Sequence, residues 1–253
     1  MITLTNNLRK IIASLDKAKV RKETRLFLAE GDKCVRDTIS YFEVEVLLAG
    51  PQWIESNQDI ARRYPLCQVA KKDLERLTHL VTSPEVIAVY RIPEQRFEDE
   101  IPRGLSLVLD TIQDPGNMGT ILRTADWFGV ENIYCSRETV DVFSPKVVQS
   151  TMGAISRIRT VYCDLANLIE RYEGSVFGTF LDGDNIYEAD LDSAGLIVMG
   201  NEGKGISPGL RPLISHRLLI PSYPADRPTS ESLNVATATA ITLAEFRRRK
   251  YCR

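Results

Sequence analysis

Histidine is nearly missing from this chain of 253 residues, where only His79 and His216 occur. That leaves little material for histidine acid–base chemistry or for a His-rich metal site. The five cysteines, Cys34, Cys67, Cys135, Cys163 and Cys252, are odd in number, scattered, and form no CxxC pair. Their spacing argues against zinc and against a disulfide framework, and for a reducing cytoplasm. No apolar run is long enough to suggest a membrane-spanning helix. The opening MITLTNNLRKIIASLDKAKVRK has no apolar core followed by a small-residue cleavage site, so a secretory leader is not expected either. Two phosphate-binding signatures are missing as well. GxGxxG does not occur at a strand–helix turn, and the stretch from Gly200 to Lys204 lacks the spacing of GxxxxGK[ST]. A nicotinamide-dependent dehydrogenase and a P-loop enzyme both fit poorly.

What is present is the composition of an ordinary globular protein, 43% hydrophobic and 26% charged, on a chain long enough for two modest domains. The formal net charge of −2 gives no sign of nucleic acid. Its distribution says more. Arg9, Lys10, Lys17, Lys19, Arg21, Lys22 and Arg25 face only Asp16 and Glu23. A local basic face can meet phosphates even on a mildly acidic protein, which makes Arg9, Lys10, Arg21, Lys22 and Arg25 candidates for RNA contact. The plainer reading is a solvated helix with i,i+4 ion pairs.

Hydrophobic periodicity alternates between helix and strand along the whole chain. In the first part, 6–23 reads as one helix, 26–31 as a strand, 31–42 as a helix and 44–50 as a buried strand. Helical patterns follow near 54–64 and 71–80, then a strand over 85–92. Residues 93–103 are charged and carry two prolines. The expected organisation is therefore a small α/β domain over 1–97, a linker over 98–103 and a second domain over 104–253. In the second part, apolar strands at 105–110, 131–136, 157–162, 175–181, 196–200 and 217–221 alternate with helices at 116–129, 144–155, 164–172 and 233–250. Continuous apolar strands separated by helices predict a parallel sheet covered on both faces.

Three of those strands end in polar loops: Asp114-Pro115-Gly116-Asn117, Gly200-Asn201-Glu202-Gly203, and a long stretch closing with Ser232-Leu233-Asn234. Ligands of open parallel sheets sit beyond the carboxyl ends of strands, so the three loops predict one shared crevice. Each loop alone has an ordinary reading, as a turn or as a helix cap. Their succession is what points to chemistry.

These segments resemble the SpoU family of RNA ribose 2′-O-methyltransferases, within the SPOUT superfamily. Asp114, Pro115, Gly116, Asn117, Gly119 and Arg123 match its first motif. Gly200, Asn201, Glu202, Gly203 and Gly205 match its second, and Ile220, Pro221 and Ser232-Leu233-Asn234 its third. Residues 1–92, with Phe27 and Glu30-Gly31, are similar to the ribosomal-protein-like RNA-binding domain of many members. The resemblance implies an α/β fold whose C-terminal parallel-sheet domain carries a deep trefoil knot. It also implies S-adenosylmethionine as cofactor, held near Thr179, Gly200, Ile220 and Leu233, and a homodimer whose active site draws on both chains. The catalytic set it implies is Asn117, Arg123, Glu202, Ser232 and Asn234. Arg123 would anchor phosphate and steady developing charge, Asn117 and Glu202 would orient the network, and Ser232 and Asn234 would position substrate and loop. Structured RNA is the expected partner, ribosomal RNA ahead of transfer RNA, with no metal and no membrane. The alternatives are a transfer RNA ribose methyltransferase and a non-catalytic RNA-binding relative acting in ribosome assembly.

Overall fold

The computed structural model describes residues 2–94, 102, 104–224 and 230–251. They fall into two compact units, Met1–Glu94 with Asp141–Ser156, and Gln95–Val140 with Arg157–Arg253. Apart from Pro102, the expected linker over 98–103 and its flank from 95 lie outside the described residues or at their edge. Residues 141–156 group with the N-terminal unit, although the sequence reading assigns them to the C-terminal domain.

The N-terminal unit runs α1 (Asn6–Ala13), α2 (Ala18–Thr24), β1 (Leu26–Glu30), α3 (Asp32–Thr38), β2 (Val44–Ala49), α4 (Pro51–Ser56), α5 (Gln58–Arg63), β3 (Leu66–Gln68), α6 (Lys71–Leu77) and β4 (Val86–Arg91). Its four-stranded sheet has the order β1-β4-β2-β3, antiparallel except for the β2–β3 pair. Every residue of β1 is buried, because successive side chains alternate between two covered faces. Leu26 and Leu28 belong to a core with Ile12, Leu74 and Leu77 from the helices and Leu15 from the segment between α1 and α2. On the other face Phe27 meets Phe42, Tyr90 and Phe143, with ring centroids 4.8–5.4 Å apart. Phe143 comes from the 141–156 segment, which carries α8 (Pro145–Ser150) against β1.

The single helix expected over 6–23 is two. The chain turns at 14–17, where the Ser14 amide bonds back to the Ile11 and Ile12 carbonyls. The Leu15 and Asp16 carbonyls are taken by the Arg21 guanidinium at 2.7 and 2.9 Å.

The C-terminal unit runs β5 (Leu105–Leu109), α7 (Pro115–Trp127), β6 (Asn132–Cys135), β7 (Arg159–Tyr162), α9 (Leu165–Glu170), β8 (Val176–Asn185), β9 (Gly195–Met199), β10 (His216–Leu219) and α10 (Val235–Tyr251). All six strands are parallel, in the order β10-β8-β9-β5-β6-β7. β5 and β9 are buried along their whole length, as expected of a sheet covered on both sides. One face packs Val108, Tyr134, Val161 and Val198 on α9, and Phe177 on the other face meets Phe246 of α10 edge-on at 4.9 Å. β5 lies between β6 and β9, so the winding direction reverses beside it. Such a reversal opens a crevice at the carboxyl ends of the strands. The β8–β10 pairing is interrupted. Phe177 and Gly178 pair with His216 and Arg217, and pairing resumes only at Asp184 and Asn185, so 179–183 leave the ladder as an excursion.

Candidate functional site

The first polar loop begins a helix. Asp114 caps α7 by accepting from the Asn117 amide at 2.7 Å, and Pro115 takes the first turn, where no backbone donor is needed. This leaves the Asn117 side chain free to act across space. Its Nδ2 donates to Glu202 Oε1 at 2.9 Å, and its Oδ1 accepts from Asn234 Nδ2 at 2.8 Å. One amide therefore ties the second and third loops to the first. Asn234 caps α10 in turn, its Oδ1 accepting from the Ala236 and Thr237 amides.

Two further contacts close the second loop onto the end of β5. Asn201 donates to the Thr111 carbonyl at 2.8 Å while its Oδ1 accepts from the Gly203 and Lys204 amides. The buried Asp110 accepts from the Ser207 amide at 2.6 Å. The loop folds back so tightly that Asn201 and Gly205 form a bridge. A Cβ on Gly200 would lie 2.3 Å from the Gly205 carbonyl carbon and the Ile206 nitrogen, so only glycine fits there. Asp110 and Asn201 received no role from the sequence reading. The signal for Asn201 was its tendency to bond neighbouring amides in turns; for Asp110 there was none beyond its place at a strand end.

Beside this junction lies a cavity of about 430 Å³. Thr179, Gly200, Ile220 and Leu233, the expected cofactor residues, all line it, and so do Glu202 and Ser232 of the expected catalytic set. Asn117 and Asn234 stand next to it through their bonds to Glu202 and to each other. Arg123 is not in the lining. It is exposed on α7, six residues beyond Asn117 and so about 9 Å further along the axis. Thr120 and Trp127 share its stripe, and Trp127 is 85% exposed. Arg123 is not paired with Asp126, whose carboxylate is held by Arg157 at 2.7 Å. The cavity also takes in Phe180, Asp182, Arg211 and Arg217, which the sequence reading did not single out.

Several residues of the basic run near the N-terminus have partners within the chain. Arg21 is 2% exposed. Its guanidinium grips Asp141 Oδ2 at 2.6 and 2.8 Å besides the two carbonyls at the α1–α2 turn, so most of its donors are used inside the fold and the side chain is buried away from solvent. Arg9 is ion-paired with Asp73, whose carboxyl is held below its usual range chiefly by the Arg9 hydrogen bond. Arg25 is exposed but donates to the Pro93 carbonyl at 2.8 Å. Lys10 and Lys22 remain exposed. Among the described residues there is no metal-binding cluster of His, Cys, Asp or Glu, and no helix long and apolar enough to cross a membrane.

Known proteins share both the sequence pattern and the fold. Residues 104–244 match the model of the SpoU rRNA Methylase family, and 6–88 match an MRM3-like substrate binding domain. The chain is 29% identical to the 23S rRNA (guanosine(2553)-2′-O)-methyltransferase RlmP of Bacillus subtilis, over 92% of this chain and 93% of that one. The AdoMet-bound rRNA methyltransferase from Sinorhizobium meliloti superposes with a TM-score of 0.85 at 31% identity, covering 98% of each chain. The SpoU methyltransferase AviRb from Streptomyces viridochromogenes, solved with AdoMet, gives 0.85 at 26% identity over 98% of this chain and 99% of that one. With the family pattern spread over more than half its length, and its three loops joined at one amide, the chain belongs to the SpoU rRNA methylase family and carries the SPOUT α/β fold.

Proposed function

We propose that this protein methylates a ribose 2′-hydroxyl of structured RNA, ribosomal RNA before transfer RNA, using S-adenosylmethionine. The observation that carries the reading is the Asn234–Asn117–Glu202 chain, which ties three distant loops together at the edge of one cavity. Family relatives named as 23S rRNA 2′-O-methyltransferases support the substrate class.

The cavity suits the cofactor. At about 430 Å³ it lies within the usual range of small-molecule sites, roughly 300–1,000 Å³. Apolar Leu219, Ile220 and Leu233 can cover a flat ring, and the backbone at Gly200 can approach closely because no side chain intervenes. When bound, S-adenosylmethionine supplies a sulfonium methyl group to an oxygen nucleophile.

The protein's own residues supply placement and charge. Glu202 is held by Asn117 and, at 3.5 Å, by Asn201, so its carboxylate is fixed at the cavity edge before substrate arrives. Asn234 bonds both Asn117 and the start of α10, which fixes the Ser232–Asn234 loop along the cavity. A guanidinium is a permanent cation and a poor base. Arg123 therefore anchors a substrate phosphate and steadies negative charge growing on the 2′-oxygen, and the departing proton goes to substrate phosphate.

Arg123 is exposed and absent from the lining of its own chain's cavity, on a stripe with the exposed Trp127. This supports a homodimer in which Arg123 completes the partner's site. The trefoil knot is part of the same family reading, and an experimental chain trace tested for whether it unties checks it.

The deciding measurement is 2′-O-methyl mapping of total RNA from cells with and without the protein; loss at no site would refute methylation. Arg123→Ala is expected to abolish transfer while leaving cofactor affinity within about threefold, a change under roughly 1 kcal/mol. Equal losses of rate and affinity would remove Arg123 from the substrate side. Mixing Arg123→Ala with a cofactor-binding variant should restore activity only if sites are shared between chains.

A further inference from the structure

At the β8–β10 end of the cavity the 179–183 excursion is pressed against β10. A Cβ on Gly183 would lie 2.7 Å from the carbonyl carbon of Arg217, so the excursion has one seat, directly on that residue. Above the seat, the Arg217 guanidinium lies over the Phe180 ring at 3.7 Å and forms an ion pair with Asp182. Phe180, Asp182 and Arg217 all line the cavity. Stacking and pairing together fix the plane of the guanidinium and leave fewer rotamers to lose on binding.

This corner has an unusual charge pattern for the cavity. Among the described residues of the lining, Arg217 and Asp182 are the only ion pair. Arg211 adds a second cation nearby, its Nε donating to the Ile206 carbonyl at 2.8 Å. The Asp182 carboxyl is held below its usual range, first by the Arg217 hydrogen bond, with the charge of Arg211 contributing. At this corner two guanidinium groups stand near one carboxylate. A cation and an anion side by side are complementary to an α-amino acid zwitterion: the guanidinium takes the carboxylate in a forked contact and the carboxylate takes the ammonium.

We propose that Arg217, presented by the Phe180 stack and paired with Asp182, reads the amino-acid end of the cofactor and so determines which adenosine thioethers the cavity accepts. The proposal rests on the reading of this cavity as the cofactor site. It assigns the part of the cofactor that backbone and apolar contacts alone cannot discriminate. S-adenosylhomocysteine and 5′-methylthioadenosine share the adenosine and the sulfur, and only the first carries the zwitterion.

The test compares these two ligands by calorimetry on the full chain. The natural protein should bind S-adenosylhomocysteine at least about tenfold more tightly than methylthioadenosine, the size expected for one charge-assisted contact. Arg217→Ala should bring the ratio to about threefold or less with methylthioadenosine affinity unchanged, and Arg217→Lys should keep part of the preference because a cation remains. Methylthioadenosine also reports whether each variant still folds its cavity. Equal weakening of both ligands by Arg217→Ala and Arg217→Lys would mean that Arg217 only supports the excursion. An unchanged ratio would overturn the assignment, and would do so most plainly if RNA affinity fell instead, since the corner would then hold a phosphate. If the natural protein bound neither ligand, the cofactor reading of the cavity would fail first.

Discussion

The two units carry similar densities of charged and polar side chains, yet put them to different ends. In the N-terminal unit the conspicuous arginines are built in: Arg21 holds a turn together and fixes Asp141, and Arg9 closes on Asp73 of α6. In the C-terminal unit the conspicuous polar residues are gathered at the strand ends, where Asn117, Glu202 and Asn234 bond one another beside open space. The cause lies in the sheets. A mixed sheet with helices on one side and an aromatic cluster on the other offers a charged side chain only burial with a partner, or the solvent. A parallel sheet whose winding reverses leaves a crevice that polar groups can border without being covered. A charge cluster in sequence is thus weak evidence of a binding face, and a polar loop after an apolar strand is stronger.

This contrast can be tested, starting with the largest effect. Arg21→Ala should destabilise the protein by about 3–5 kcal/mol, because it leaves Asp141 without its partner and two carbonyls unsatisfied. Urea unfolding measures this, and a change under about 1 kcal/mol would show that Arg21 is dispensable in the fold. Gly200→Ala should weaken S-adenosylhomocysteine by about 10- to 100-fold while leaving the unfolding transition of the N-terminal unit in place, since the added Cβ collides only with the loop that closes on Gly205. Wild-type affinity would mean that this loop does not shape the cavity. Smaller again is the joint Lys10→Glu and Lys22→Glu variant. If these exposed lysines meet phosphate, the plot of log affinity for RNA against log salt should become shallower by about one to two units. An unchanged slope would complete the contrast by leaving the basic run no RNA role at all.

The smallest effect concerns Glu30, buried at the end of β1, where it accepts from the Thr78 hydroxyl and the His79 amide. Burial raises its carboxyl above the ordinary 4.5 and outweighs those hydrogen bonds. An acid raised in the folded state adds stability that is full below its unfolded value and is lost as pH climbs through the folded one. Glu30→Gln does not titrate. Its stability relative to the natural chain should therefore improve as pH goes from 4 to 7. A difference that stays flat or falls over that interval would contradict the assignment.

Much of the fold was legible because periodicity reports burial. β1, β5 and β9 read as apolar runs and are buried throughout. Asp164 caps α9 and Gly129 takes the left-handed conformation after α7, both as their residue types suggest. What stayed hidden was non-local. The 6–23 stripe of leucines and isoleucines continues through the turn at 14–17, so no pattern marked the break. Arg21 looked exposed because its partner Asp141 is 120 residues away. The 179–183 excursion reads as more strand, and only the pairing register reveals it. In the site, the three motifs predicted that loops would meet, but not that a single amide, Asn117, would join them. Nor could spacing show that Arg123 is absent from the lining of the cavity.

The N-terminal unit is assembled from two stretches of chain separated by 46 residues, 95–140. During synthesis, Phe27 must wait for Phe143 and Arg21 for Asp141, so β5, α7 and β6 leave the ribosome before the first unit can close. At roughly 5–20 residues per second the delay is a matter of seconds. Throughout it, an aromatic face and a buried cation stand uncovered. A ribosome-bound chain that stops short of Phe143 should therefore be cut by protease far more readily than one carried past Ser156.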